Sequence, residues 1–294
     1  MDVLQPARKA KHAAFLARKK LRKRYIGVRD VAFTAYDRRV PYRFDPERHR
    51  DSWGNMPRMY FLHREPPAGT STSRPVPRKV YVLWTGTNPL TPARERGLAS
   101  IRAQNPDLDV VLITPENLHE FVVDGHPIHP AYEHLSLNHR SDYLRAYFMH
   151  HHGGAYSDIK ETDHGWGHVL ARINVEPHVW LIGYPEVSSA TAGGRDPVLG
   201  PDIRRRFSSL VGCGTYFVRP GTPFTAEWIR ELDRRLDYYA DEIRTSPGGM
   251  WGDEPGYPIA WIELGSDLFH PLQLKYLDHI KQDTALTPHF TDHR

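Results

Sequence analysis

The 294-residue sequence predicts an α/β fold with a mostly parallel central sheet, and three observations lead there. From residue 79 onward, short β-branched and aromatic runs alternate with helix-length segments, the pattern of strands joined by right-handed crossovers. A composition of 39% hydrophobic and 25% charged residues supplies one sizeable core under a charged surface. Glycine and proline clusters punctuate the alternation where strands and helices must stop.

In chain order, Arg8 to Arg24 holds nine Lys and Arg with Phe15, Leu16 and Leu21 among them, and predicts a basic helix with a thin apolar face. Residues 31–78 are rich in Arg, Pro and aromatics, and Glu65 to Pro77 has the composition of a linker. The expected organisation is a basic N-terminal extension over 1–65, a linker over 66–78 and a main domain over 79–294 that ends in a lid region. Within that domain Lys79–Trp84 and Asp109–Thr114 predict strands, with helices over Pro92–Ala103 and 115–121. Asn138 to His151 has helical spacing, Gly153-Gly154 stops it, and Ala155–Ile159 predicts the next strand. Val179–Gly183 and Gly214–Val218 follow as strands, Phe224–Ile243 as a long helix, and Ile259–Leu277 as a helix broken at Pro271.

The net charge of +4 is unevenly spread. Residues 1–30 carry ten Lys and Arg against Asp2 and Asp30, a local +8, which leaves the rest at −4. The basic arm fits either a solvated segment or contact of residues 8–24 with an anionic membrane surface. The body is acidic, and no zinc-finger, helix-turn-helix or aromatic RNA-binding motif is present, so nucleic acid is not an expected partner. No apolar run is long enough to span a bilayer, and the first thirty residues lack the apolar stretch of a secretory signal. Cys213 is alone, which fits a cytoplasmic setting with possible membrane association, and its strand context predicts a packed thiol. The absence of Gly-x-Ser-x-Gly argues against a serine hydrolase.

Chemistry concentrates in Asn138-His-Arg-Ser-Asp-Tyr-Leu-Arg-Ala-Tyr-Phe-Met-His-His-His-Gly-Gly-Ala-Tyr-Ser-Asp-Ile-Lys160. Asp142 and Arg145 stand three apart on a helix, as neighbours that form a surface ion pair or hold sugar hydroxyls. Asp158 falls at a strand end, where a carboxylate reaches a ribose hydroxyl or a divalent cation. Trp84, Thr85 and Gly86 close the first strand with an aromatic ring and small residues, a place for a nucleobase. His150, His151 and His152 point about 100° apart on a helix and do not converge on a metal ion.

Arg-Ser-Asp-x-x-Arg followed by Gly-Gly-x-Tyr-x-Asp resembles the donor-site signature of the DxD-type sugar transferases, among them capsular-polysaccharide transferases, yeast α-mannosyltransferases and glucosylating bacterial toxins. Val-Leu-Trp-Thr-Gly with the following Asn-Pro resembles their first strand and loop. The likeness covers residues 79 to 165 and weakens onward to Pro271. It implies a GT-A nucleotide-sandwich domain that moves a sugar from a UDP- or GDP-sugar donor to a saccharide or other hydroxyl acceptor with retention of configuration. The other implied reading is a catalytically silent glycan- or nucleotide-binding protein of the same fold. By position, Trp84 would stack on the base with Thr85 and Gly86 beside it. Asp142 and Arg145 would bind the donor sugar or ribose, Tyr156 would shape the pocket, and Asp158 would be the first DxD carboxylate.

The second carboxylate should stand at residue 160, which is Lys160. A departing diphosphate gathers negative charge that Mn²⁺ or Mg²⁺ normally stabilises. Either Asp163 or another carboxylate completes a metal site with Asp158, or Lys160 itself neutralises the diphosphate, or activity is lost. The glycine-rich Gly248–Tyr257 has the composition of a mobile lid and carries Trp251, Asp253 and Glu254. Trp251 is a candidate substrate contact and His270 a candidate near the metal. Residues 184–206 read as a loop that sets acceptor choice, polar and flexible over Ser188–Gly200, with Arg204-Arg205-Arg206 either meeting an acidic acceptor or forming a solvated face.

Overall fold

The computed structural model describes residues 4–49, 60–194 and 196–291. Its helices are α1 (Leu4–Arg39), α2 (Pro46–His49), α3 (Pro92–Gln104), α4 (Leu137–His151), α5 (Gly167–Val175), α6 (Leu199–Arg205), α7 (Pro223–Thr245) and α8 (Ser266–Lys275). Its strands are β1 (Lys79–Leu83), β2 (Asp109–Ile113), β3 (Gly154–Ser157), β4 (Leu181–Pro185), β5 (Val211–Val218) and β6 (Ile280–Gln282). They form one sheet in the order β2-β1-β3-β5-β4-β6. β1 is parallel to β2 and β3, and β4 is parallel to β6, while β5 runs antiparallel to both of its neighbours. Five strands therefore share one direction, and the mostly parallel sheet expected from the alternation is a mixed sheet with one reversed strand.

Two apolar clusters cover the two faces. Tyr143, Tyr147, Phe148, Tyr216, Trp228 and Phe269 belong to one, which joins α4, α7 and α8 to the sheet. Val80, Val82, Ile101, Trp166, Ile173 and Phe217 belong to the other, under α3 and α5. The alternation of Tyr81 and Val82 or Tyr216 and Phe217 between clusters follows from the two-residue repeat of a strand.

Several elements differ from the sequence expectation. The segment 115–121 closes as a 3₁₀ turn over Leu118–Phe121. The helix expected over 259–277 starts only at Ser266 and passes through Pro271 without ending. A proline inside a helix costs about 3 kcal/mol. Leu268, Phe269, Leu272 and Leu274 are each almost wholly buried, and at roughly 1.5–3 kcal/mol apiece their burial outweighs that cost. Within 188–200 the described residues, 188–194 and 196–200, are held down rather than loose: Ser189, Ala192 and Leu199 are buried. Arg206 is likewise no solvated residue. It pairs with Asp37 at 3.0 Å, with both side chains almost fully buried.

That pair is part of the seam between α1 and the body. Ser208 and Ser209 donate their hydroxyls to Asp37 at 2.7 and 2.6 Å, and Ser188 donates to Asp30 at 2.7 Å. Residues 11–25 of α1 lie exposed beyond this seam, with Phe15, Leu21 and Tyr25 in solvent. No helix among the described residues is long and apolar enough to cross a membrane. Residues 66–78 run along the body, where Asn174 bonds both the N–H and the carbonyl of Val76.

Candidate functional site

The strand order reverses between β1 and β3: β2 lies on one side of β1 and β3 on the other. At such a switch point the connections leave in opposite directions and open a crevice beyond the carboxyl ends of the strands. Val82 pairs with Ser157, so Trp84 and Asp158 leave the sheet at the same edge. The half-buried Trp84 turns its indole N–H to the Asn88 carbonyl at 2.6 Å. Thr85 donates to the Leu137 carbonyl at 2.7 Å, which ties this loop to the start of α4. At Gly86 a Cβ would stand 2.5 Å from Asn88 Oδ1 and 3.1 Å from Leu137 Cδ1, so only glycine fits without displacement.

α4 begins at the cap Ser136, whose hydroxyl accepts the His139 N–H at 3.2 Å. Two further first-turn N–H groups, which a helix start leaves without intrahelical partners, are taken by the glycine-rich segment 248–257. Leu137 N–H donates to Gly249 O at 2.9 Å and Asn138 N–H to Met250 O at 3.3 Å. Tyr257 Oη lies 2.9 Å from His139 Nδ1, with the rings stacked at 5.6 Å. The glycine-rich segment is thus latched onto the helix that carries Asp142 and Arg145. Trp251 stands half exposed on it and faces Trp261 at 5.9 Å.

From α4 a chain of alternating charges leads to the sheet edge. Asp142 and Arg145 pair at 3.2 Å, both largely buried. The Arg145 guanidinium donates to the Cys213 carbonyl at 3.2 Å and lies 4.7 Å over the Tyr156 ring. Tyr156 donates its hydroxyl to Asp158 Oδ1 at 2.7 Å, and Lys160 Nζ donates to Asp158 Oδ2 at 2.8 Å. Burial raises the Asp142 pKa, with Arg145 opposing. Burial also works against the charge of Asp158, yet Lys160 and Arg145 together hold its carboxyl below the usual range. The Tyr156 phenol is pushed up by burial and stays protonated as a donor. Arg145 Nε, His139 Nε2 and Tyr216 Oη are buried without a hydrogen-bond partner. Such atoms cost about 1–3 kcal/mol each unless a ligand or solvent meets them.

α3 and β5 fix the strand end. Arg94 donates to the Ile159 carbonyl at 2.7 Å. A Cβ on Gly97 would lie 3.1 Å from the Ile159 and Lys160 backbone, so the glycine admits a close approach of the helix. Asp158 N–H donates to Gly214 O at 2.7 Å on the reversed strand. Cys213, one residue earlier, is half-buried and packs against the core, and its Sγ lies 3.8 Å from His270 Nε2. His270 Nε2 also lies 3.3 Å from Glu186, and its Nδ1 accepts the Gly193 N–H at 2.7 Å. Burial opposes the charged ring while Cys213 and Glu186 raise its pKa to about 10 on balance. The Gly193 N–H needs a lone pair on Nδ1, which protonation removes, so this contact works against that rise and favours the tautomer with its proton on Nε2.

These residues do not fit a divalent metal. Both oxygens of Asp158 are engaged, and the position of a second carboxylate is an ammonium 2.8 Å from the first. Asp163 is exposed and meets His289 at 2.7 Å, and His270 is committed to Glu186 and Gly193. Among the described residues no three His, Cys, Asp or Glu side chains are arranged to hold a metal ion. A dication beside Asp158 would stand against the Lys160 ammonium where a second carboxylate would otherwise help to hold it. The three consecutive histidines have separate polar or ring partners: His150 meets Thr225, His152 meets the Phe121 carbonyl, and the His151 ring lies tilted 4.5 Å from Tyr147.

Sequence reading did not single out Arg94, Gly97, His139 or Phe290, whose ring lies 5.3 Å from Lys160 Nζ. Gly97 alone carried a signal, since a glycine inside a helix costs about 1 kcal/mol and needs a reason. A cavity of about 610 Å³ lies elsewhere, at the other end of α4, lined by Arg64, His126, His150, Arg230 and Asp233 among others, and includes none of the charge chain.

Residues 92–164 match the family model described as the glycosyltransferase sugar-binding region containing a DXD motif. The matched stretch contains α3, α4, β3 and the whole charge chain, and it marks this part of the molecule as glycosyltransferase-like. Among solved structures the chain is similar to the PaToxG Glycosyltransferase, with 15% identity, a TM-score of 0.41 and coverage of 74% of this chain and 73% of that one. No curated protein matches the chain.

Proposed function

We propose that this chain transfers a sugar from a UDP- or GDP-sugar to a saccharide or other hydroxyl acceptor, with retention of configuration, in a domain spanning 79–294. The observation that carries the reading is the buried chain Asp142–Arg145–Tyr156–Asp158–Lys160 at the switch point, with the Arg145 Nε donor unmatched beside it. The match of residues 92–164 supports it independently. In this reading Trp84 takes the base, with Thr85 and Gly86 shaping its seat. Asp142 and Arg145 take ribose or sugar hydroxyls, and Asp158 and Lys160 face the diphosphate. The acceptor approaches past Trp251 and Trp261, whose exposed indoles suit the apolar face of a sugar.

The acceptor oxygen bonds to the anomeric carbon as the bond from that carbon to the β-phosphate oxygen breaks, its electron pair leaving on the phosphate. The hydroxyl proton passes to the same phosphate oxygen, so no protein nucleophile is required. The exposed basic half of α1 suits an anionic membrane surface by charge, and the single cysteine suits a reducing compartment.

A second reading, recognition of a nucleotide sugar without turnover, is favoured by Lys160 in place of the second carboxylate. Hydrolysis and transfer assays with UDP- and GDP-sugars, on wild type and Asp158→Ala, separate the two. Turnover lost in Asp158→Ala supports transfer. Turnover unchanged in the variant removes the site assignment, and nucleotide binding with no turnover under any acceptor supports the silent reading.

A further inference from the structure

This inference rests on the donor-site reading above and concerns the charge that neutralises the diphosphate. Two carboxylates and a dication sum to zero, and so do Asp158 and Lys160. The strand end therefore has the electrostatic balance of a loaded DxD site without an ion in it. Lys160 is well placed to act as that cation. Its ammonium is largely buried and held 2.8 Å from Asp158 Oδ2, and it lies 5.3 Å from the ring of Phe290. Its backbone is fixed from three sides. Arg94 grips the Ile159 carbonyl, Gly97 brings α3 against the chain there, and the Lys160 N–H donates to Asp158 O at 2.8 Å. The flexible four-carbon stem lets the ammonium turn from the carboxylate to a phosphate oxygen while keeping a charge-assisted bond to each. Lining up Arg145 behind Tyr156 adds a second fixed positive charge on the far side of Asp158.

We propose that Lys160 is a catalytic residue of this site, that its ammonium binds the diphosphate of the donor where DxD enzymes use a divalent metal, and that donor binding and transfer need no metal ion. As the sugar leaves, the bond from the anomeric carbon to the phosphate oxygen breaks with its electron pair on that oxygen. Lys160 stabilises the new charge through a hydrogen bond and keeps its own protons. The proton released in the step is the acceptor hydroxyl's, and it goes to the leaving phosphate.

The test is calorimetric binding of UDP, GDP, UDP-glucose and GDP-mannose to the full chain, in EDTA and in Mn²⁺, with Lys160→Met, Lys160→Arg and Lys160→Asp beside wild type. At least one ligand is expected to bind in EDTA with an affinity within roughly twofold of that in Mn²⁺. Lys160→Met is expected to weaken it by at least about tenfold, and Lys160→Arg to keep most of it. Lys160→Asp is expected to lose binding in EDTA and regain it with Mn²⁺. Binding by wild type that appears only with Mn²⁺ overturns the inference and leaves the donor site standing. Unchanged affinity in Lys160→Met assigns the lysine to structure and overturns it as well. Absence of binding to any of the four ligands in either condition removes the donor reading itself. Should Lys160→Met not fold, the wild-type comparison and Lys160→Asp still decide.

Discussion

Arg145 meets three unlike partners at once: the Asp142 carboxylate, the Cys213 carbonyl and the face of Tyr156. Only a planar fork serves all three, so a lysine there loses the stack and one of the bonds. Removing the guanidinium also strands Asp142 as a buried charge, a cost of about 3–5 kcal/mol when a buried pair is broken from one side. Arg145→Met is therefore expected to lower the thermal midpoint and to abolish nucleotide-sugar binding. The double variant Arg145→Met/Asp142→Asn is expected to recover most of the stability and none of the binding. Recovery of both, read by denaturant titration and calorimetry, would show that the pair serves folding alone.

At the scale of elements, α4 is the axis of the molecule. Its first turn receives the glycine-rich segment, its middle carries the charge chain, and its C-terminal end half-buries three histidines. His151 is held to about 3 and His150 to about 4, in each case chiefly by burial, with His126 and Arg74 among the groups that repel the added charge. The sign follows from linkage: the folded values lie below the ordinary 6.5, so the unfolded chain binds protons first as pH falls. The stability these rings contribute is complete above 6.5 and is lost as pH drops toward 4. Thermal midpoints across that range should fall with pH, and His151→Phe should flatten the fall; an unchanged slope in the variant would contradict this.

The same elements show what was legible in sequence. Strands β1, β2 and β3 and helices α3, α4 and α7 announce themselves by local pattern, because the strands are short apolar runs, the helices have helical apolar spacing, and glycine, proline or hydroxyl residues mark their ends. β6 has three residues and gains its place only by pairing with β4, about a hundred residues away. Pro271 reads as a break because the burial that overrides it is tertiary. Arg206 reads as surface because its partner, Asp37, sits on the far extension. In the site, the spacing of Asp142 and Arg145 and the lysine at 160 were readable. Arg94 was not, since its role depends on how α3 lies over Ile159.

Across the whole molecule, two candidate regions lie toward opposite ends of α4. One holds the charge chain and the glycine-rich segment, where Trp251 meets Trp261. The other is the cavity of about 610 Å³ beside His150 and Arg230. A defined cavity favours the second; the switch-point topology, the unmatched Arg145 donor and the family match favour the first. The seam of Asp30 and Asp37 ties α1 to the segments 188–189 and 206–209, so the extension braces the wall that carries Glu186 and, through Gly193, His270. The most direct measurement is a crystal structure of the full chain with a bound UDP-sugar or GDP-sugar. The diphosphate is expected between Asp158 and Lys160, with the base against Trp84 and the sugar toward Arg145. Ligand density in the cavity at His150 and Arg230, with the Asp158–Lys160 pair undisturbed, would contradict the assignment of this site.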